Sequence, residues 1–325
     1  MKRGTILASI ALGSALGQQP DVQQPHVQNA RMEIRAAAGG LDATLRSIVN
    51  AQAAPAWVGY AVPIISGDRQ MCCWNDQVRG CFLEPSSNDR RVVISNNQTV
   101  KLEGPTQLVV LYRIENRQVD KVRSFSPECD LDAGGLPFIW LTGVNGAESV
   151  KVLEGIAKDI PSGAARDQTR RVESAELAIA MHADPAADQA LEDLLAPGQA
   201  ETVRRQAIFG LAQRNNTRAL NLLTAAAHND RSPRIRGEAL FWLAQRAGRK
   251  VAESAINDAI ANDPETEVKK KAVFALTQMP SGEGVPLLIQ VARTNRNPEV
   301  RKQAMFWLGQ SKDERALAFI EEVLK

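Results

Sequence analysis

Hydrophobic positions change their period near residue 147 of the chain. Upstream, apolar and polar residues alternate over short runs, the period-two pattern of strands with one buried face. Ala30, Met32, Ile34 and Ala36 read as such a strand. Gly39-Gly40 ends it, and Leu41, Leu45, Ile48 and Val49 then share one side of an amphipathic helix. Further strands are predicted over 56–65, 70–74, 79–83, 91–95, 98–103, 107–114, 118–125 and 138–142, with Glu115-Asn116-Arg117-Gln118 as a hairpin loop. Residues 30–145 therefore form a small α+β, mostly-β domain whose topology the pattern leaves open.

From residue 147 to 325 the pattern is helical, and it repeats. Ala207, Ala239, Ala272 and Ala304 align at spacings of 32, 33 and 32 residues. The segments 203–213, 235–245, 268–278 and 300–310 share six columns: a β-branched residue, a basic residue, Ala, Phe, Leu and Gln. A fifth, diverged copy surrounds Ala175, with Leu177 in the Phe column. At about 100° per residue the β-branched, Ala and Leu columns share one side of the helix, and the Phe column lies nearly opposite. A helix apolar on both sides is expected to be buried on both. Second helices follow at 219–227, 251–261, 285–292 and 316–324, and Asp230 to Pro233, Asn262 to Pro264 and Asn297-Pro298 punctuate the boundaries. The expected fold is an α-solenoid of stacked helical hairpins, five units from about residue 170.

These columns resemble HEAT repeats, in the short form shared with the phycobilin-lyase-like repeat family. The resemblance covers about 170–325 and implies an armadillo-like right-handed superhelix whose exposed faces bind other proteins. Bilin attachment, the activity of the lyase relatives inside photosynthetic cells, conflicts with the start of the chain. Lys2 and Arg3, the uncharged run Thr5 to Leu16 and the small residues at Ala15-Leu16-Gly17 read as a secretory signal peptide over 1–17. A flexible Gln/Pro-rich lead-in would occupy 18–29. The apolar run is shorter than the roughly 20 residues that span a bilayer, so no membrane span is expected. Export places the protein in the periplasm or outside the cell.

That compartment decides how Cys72, Cys73, Cys81 and Cys129 are read, since an even count outside the cytoplasm favours disulfides. Neighbouring strand residues point to opposite faces, so a Cys72–Cys73 bond is disfavoured. One of the two should pair with Cys81 and the other with Cys129. The formal charge of +2 excludes a dedicated nucleic-acid binder, and it hides an asymmetry. Residues 201–325 carry 20 Lys+Arg against 14 Asp+Glu, whereas 18–200 carry 17 against 23.

The basic column, Arg204, Arg236, Lys269 and Arg301, has two readings. With Arg205, Lys270, Lys271 and Lys302 it would form a stripe for an acidic partner. Alternatively it bonds loop carboxylates or carbonyls of the adjacent repeat, with Glu201, Glu267 and Glu299 near enough to neutralise it. Trp242 and Trp307 flank the Phe column as core packing or as recognition anchors. Gln213, Gln245, Gln278 and Gln310 read as a ladder closing each inter-helix turn. His182 and Asp184, and His228 and Asp230, share an H-x-D spacing that reads as ordinary helix ends, and Asp130 and Asp132 as part of a turn. No nucleophile triad, phosphate loop or zinc motif occurs, so no cofactor, metal or small-molecule substrate is inferred. The expected function is that of an exported, non-enzymatic scaffold binding a protein partner. The alternatives are an enzyme with its site in the N-terminal domain, or a module binding acidic glycan or lipid headgroups.

Overall fold

The computed structural model describes residues 24–67, 71–73, 80–85, 104–161, 163–214 and 216–325. The expected secretory signal, the first half of the expected lead-in, and the strands expected at 91–95 and 98–103 lie outside the described residues. Strands β1 (Val27–Gln28) and β2 (Arg31–Ala36) precede helix α1 (Leu41–Ala51). There follow β3 (Ala56–Pro63), β4 (Gly80–Phe82), β5 (Gln107–Glu115), β6 (Gln118–Phe125), β7 (Asp130–Asp132) and β8 (Pro137–Thr142).

The main sheet has the order β2-β8-β3-β5-β6, and a small parallel sheet has the order β1-β7-β4. β2, β8 and β3 run parallel, while β5 and β6 continue the sheet antiparallel. Parallel strands of one sheet need a crossover, and α1 supplies it from β2 to β3, with β8 inserted between them. The β5–β6 hairpin turns at Asn116 and Arg117, both at positive φ (52° and 58°), the two-residue type I′ geometry that matches strand twist.

Burial on both sides explains why β3 reads as a continuous apolar run: Ala56 to Val62 are all buried. One face, with Val58, Tyr60, Val110, Tyr112, Val122 and Leu141, packs on helices. The other, with Trp57, Leu111, Phe125, Phe138 and Trp140, is covered by Cys81, Leu83, Cys129 and Leu131. Cys72 bonds Cys129 and Cys73 bonds Cys81, at Cα separations of 5.5 and 5.2 Å, so disulfides tie the 71–73 segment to both ends of this cover. β2 departs from expectation. Its alternation suggests one buried face, yet all six residues are exposed, because among the described residues it is the sheet's uncovered edge.

From residue 146 the elements are helical: α2 (Gly146–Lys158), α3 (Arg166–Met181), α4 (Ala186–Leu195), α5 (Glu201–Gln213), α6 (Thr217–Asn229), α7 (Pro233–Arg246) and α8 (Arg249–Asn262). Then come α9 (Thr266–Thr277), α10 (Gly284–Thr294), α11 (Pro298–Gln310) and α12 (Glu314–Leu324). Pro233 and Pro298 each open a helix, where the missing N–H costs nothing, and Ser232 and Asn297 cap those helices through their side chains. The first helices of the hairpins (α3, α5, α7, α9, α11) stack on one another, each packed on its partner second helix. The Ala column sits at every contact with no exposure at Ala175, Ala207, Ala239, Ala272 or Ala304.

α3 joins the two regions. The Arg171 guanidinium donates to the Val119 carbonyl at 3.0 Å near the start of β6. At the other end of α3, the Ile65 amide donates to Met181 O at 2.9 Å and the Ala183 amide to Pro63 O at 3.0 Å. The helix-facing core of the sheet thus runs without a break into the core of the hairpins.

Candidate functional site

The basic column turns inward. Arg204 donates to both carboxylate oxygens of Asp230, at 3.0 and 3.1 Å, and to Gln199 O at 2.7 Å. Arg236 does the same with Asp263, at 2.7 and 2.9 Å, and with Asp230 O at 2.9 Å. Lys269 donates to Ala261 O at 2.9 Å, and Arg301 to Asn295 O at 2.8 Å. Each member therefore satisfies a carbonyl of the preceding inter-repeat loop, at or near the end of a second helix, where such groups lack intrahelical partners.

Burial of Asp263 alone would raise its pKa, but the hydrogen bonds from Arg236 and the Glu265 amide hold the carboxyl below its usual range. Arg204 and Arg236 are buried, so neither is presented to a partner. The expected neutralising glutamates have other roles. Glu267 bonds Lys270 at 3.0 Å and Glu299 bonds Lys302 at 3.0 Å. The column's carboxylates come instead from Asp230 and Asp263, at the ends of α6 and α8. Both stand in the turn punctuation of the sequence, and where the column carries Lys269 the matching turn carries Asn295.

The Phe column is not buried on its second side. Phe209, Phe241 and Phe274 are half-buried and Phe306 is 54% exposed. A second helix covers the Val, Ala and Leu side of each first helix, while a two-layer solenoid has no third layer for the Phe side. The rings cover one another instead. Phe209 meets Trp242 at 5.5 Å between centroids, Trp242 meets Phe241 edge-on at 5.1 Å, and Phe241 stacks on Phe274 at 6.0 Å. Phe274 then meets Trp307 at 4.9 Å, and Trp307 meets Phe306 edge-on at 4.9 Å. These separations suit offset and edge-to-face pairs. Four repeats thus carry an unbroken aromatic ladder.

At about 100° per residue the Gln column, Glu238 and Lys271 share the ladder's side of their helices. The glutamines do not close the turns as expected. Gln245 and Gln310 are exposed, Gln278 bonds Thr277 Oγ1 at 2.9 Å, and Gln213 reaches Phe209 O at 3.4 Å. A cavity of about 350 Å³ opens at this end of the ladder, lined by Phe274, Gln278, Trp307 and Gln310. The indole N–H of Trp307 is buried there without a hydrogen-bond partner. Rings beside exposed amide groups can hold apolar side chains and peptide groups together.

His182 belongs to a buried relay rather than to an H-x-D pair. Its Nδ1 donates to Ala178 O at 2.6 Å, which leaves Nε2 to accept from Ser149 Oγ at 2.8 Å. Ser149 Oγ bonds Tyr60 OH at 2.6 Å, and Tyr60 OH bonds Tyr112 OH at 2.7 Å. Burial lowers the His182 pKa to about 4 and holds both phenols above their usual value. The chain links β5, β3, α2 and the end of α3, and its spacing in sequence offers no motif. Asp184 instead caps the Ala186 amide at 2.9 Å, and His228 pairs with Asp258 at 3.0 Å rather than with Asp230.

Asp130 and Asp132 are buried and spoken for: Asp130 bonds His26 at 2.7 Å, and Asp132 accepts from Asn29 at 2.8 Å and from the Gly134 amide at 2.7 Å. Among the described residues no group of three His, Cys, Asp or Glu side chains is placed to hold a metal ion. Another residue that sequence reasoning missed is Glu176, in the column filled by Ile208, Leu240, Val273 and Met305 elsewhere. It is buried, and desolvation, with help from Glu173, pushes its carboxyl well above the usual range. A larger groove of about 950 Å³ lies between α1 and α2, with Leu45, Val49, Val152 and Ile156 inside and Arg46, Lys151 and Asp159 around it. No helix among the described residues is long and apolar enough to cross a membrane.

Comparison with curated proteins finds no match. Among solved structures, the chain is similar to the CpcE–CpcF complex of phycocyanin lyase from Nostoc, with 18% identity and a TM-score of 0.36, covering 50% of this chain and 98% of that one. It is also similar to human deoxyhypusine hydroxylase in complex with glycerol, with 16% identity and a TM-score of 0.27, covering 55% and 69% of the two chains. Residues 253–325 match the family model of HEAT repeats. Beyond the matched residues the same columns and inter-repeat bonds run upstream, so the C-terminal helical region of this chain carries HEAT-like repeats stacked as an α-solenoid, preceded by an α+β domain.

Proposed function

We propose that the chain is an exported, non-enzymatic scaffold that holds a protein partner along the aromatic ladder of its first helices. The observation that carries this reading is the unbroken run of rings from Phe209 to Phe306, ending at a cavity lined by Trp307. Trp and Phe at the centre of a surface, with exposed amides beside them, are the chemistry of protein recognition rather than of bond-making. Two disulfides and the charged-then-apolar start of the sequence support export. The inward-facing arginines argue against an acidic glycan or lipid surface as the ligand, since their charge is spent on Asp230 and Asp263.

The test is site-specific photo-crosslinking in the native envelope. A photoreactive residue at Phe306 should trap one discrete polypeptide, and the same group at Leu317, on a second helix, should not. Phe241→Ser and Phe306→Ser together should abolish capture with the helical signal retained. Undiminished capture by that variant would refute the reading.

A further inference from the structure

The five-stranded sheet ends at β2, and we propose that this edge pairs antiparallel with β2 of a second copy of the chain, continuing the sheet across a two-fold axis. Among the described residues β2 is the last strand on its side, exposed along its whole length, and includes Met32 and Ile34, 40% and 65% exposed. An edge of this kind is a template for another strand.

The backbone dictates how. The amide of Arg31 donates to Leu136 O, and that of Ala37 to Thr142 O, beside β8. Odd positions therefore bond β8, and the amides and carbonyls of Met32, Ile34 and Ala36 point to the free edge. A second β2 must oppose even positions to even ones.

The charges then choose among the registers. Met32 opposite Ile34 would set Glu33 on Glu33, and Ile34 opposite Ala36 would set Arg35 on Arg35, both repulsive. Met32 opposite itself would extend the pairing to Asn29, whose φ of 50° has left the extended region. Ile34 opposite itself has none of these faults. It sets Glu33 against Arg35 twice, Met32 against Ala36 twice, and buries the two isoleucines at the axis. In one copy Glu33 and Arg35 already bond each other at 2.6 Å along the strand, so the pairing exchanges partners without stranding a charge. Met32 and Ile34 lie in register with Phe138 and Trp140, so their contact extends an apolar face that already exists.

The oligomeric state of the full chain tests this by sedimentation over a wide range of concentration. A reversible dimer is expected. Glu33→Arg should weaken it about tenfold or more, because both cross-strand pairs become repulsive. Adding Arg35→Glu to that variant should restore it, because the same pairs return with signs exchanged. Ile34→Cys should give a disulfide-linked dimer on oxidation, since opposed residues of a hydrogen-bonded pair stand about 5.5 Å apart, within disulfide reach. All of these side chains are exposed, so the variants keep their fold. A monomer at every concentration, a dimer indifferent to Glu33→Arg, a swap that fails to restore it, or a link from Ile34→Cys to another polypeptide would each overturn the proposal.

Discussion

Acid should loosen the junction between sheet and solenoid, and His182 is the reason. The ring has no exposure, its Nδ1 proton is committed to Ala178 O, and its Nε2 lone pair accepts from Ser149. A second proton would have to displace the serine and sit in an apolar core, so the pKa falls from the ordinary 6.5 to about 4. With the folded pKa depressed, the unfolded chain takes up the proton first. The stability contributed by neutral His182 is complete above about pH 6.5 and is lost as pH falls through about 4. Between about pH 8 and about pH 4.5 the loss amounts to about 2–3 kcal/mol.

Carboxylates also titrate in that window, so the informative quantity is a difference between two proteins. Urea unfolding of the wild type and of His182→Gln, each at both pH values, isolates it. The variant starts less stable but should lose about 2–3 kcal/mol less on acidification. Hydrogen-exchange protection factors at the end of β3 and along α3, which discount the slower intrinsic exchange in acid, should fall on acidification in the wild type and change less in the variant. Parallel acid losses in the two proteins would refute the argument, because they would mean that His182 is free to charge within the fold.

Other perturbations follow from the same packing. Arg236→Met strands the Asp263 carboxylate and the Asp230 carbonyl and should cost about 3–5 kcal/mol in urea unfolding, while Arg236→Met with Asp263→Asn should recover much of it. Ala239→Leu forces a side chain into a site with no exposure and should cost about 1–3 kcal/mol, whereas Gln245→Ala at an exposed position should stay within about 0.5 kcal/mol. Cys72→Ser opens a link across 57 residues and should destabilise the sheet's cover by about 4 kcal/mol in the chain-entropy view, read as a lowered unfolding midpoint that reductant no longer shifts as strongly.

Much of the architecture is legible in the order of residues, because its determinants are local or periodic. The helices repeat at a fixed spacing, so the Ala, Leu and Phe columns announce stacked hairpins before any contact is known. The Asn116-Arg117 turn lies between two strand-like runs rich in β-branched and aromatic residues, and the two disulfides fall within the pairings that adjacent cysteines leave open. Other features depend on what the fold brings close. In sequence Arg204 and Arg236 fit both a binding stripe and an inter-repeat bond, and only the fold brings Asp230 and Asp263, 26 and 27 residues on, back onto them and selects the second. The Phe column looks like core until the solenoid stops at two layers and leaves its rings to cover one another.

The relay of Tyr112, Tyr60, Ser149 and His182 is scattered from residue 60 to residue 182 and has no spacing by which to recognise it, since hydrogen bonds between β5, β3, α2 and α3 exist only once the first hairpin docks on the sheet. Likewise β2 carries the alternation of a half-buried strand, and its exposure follows from its place at the end of the sheet. Periodicity within one element determined which residues share a face. Tertiary structure decided which faces meet another element, and so which charges are spent inside the molecule and which rings are left for something else to touch.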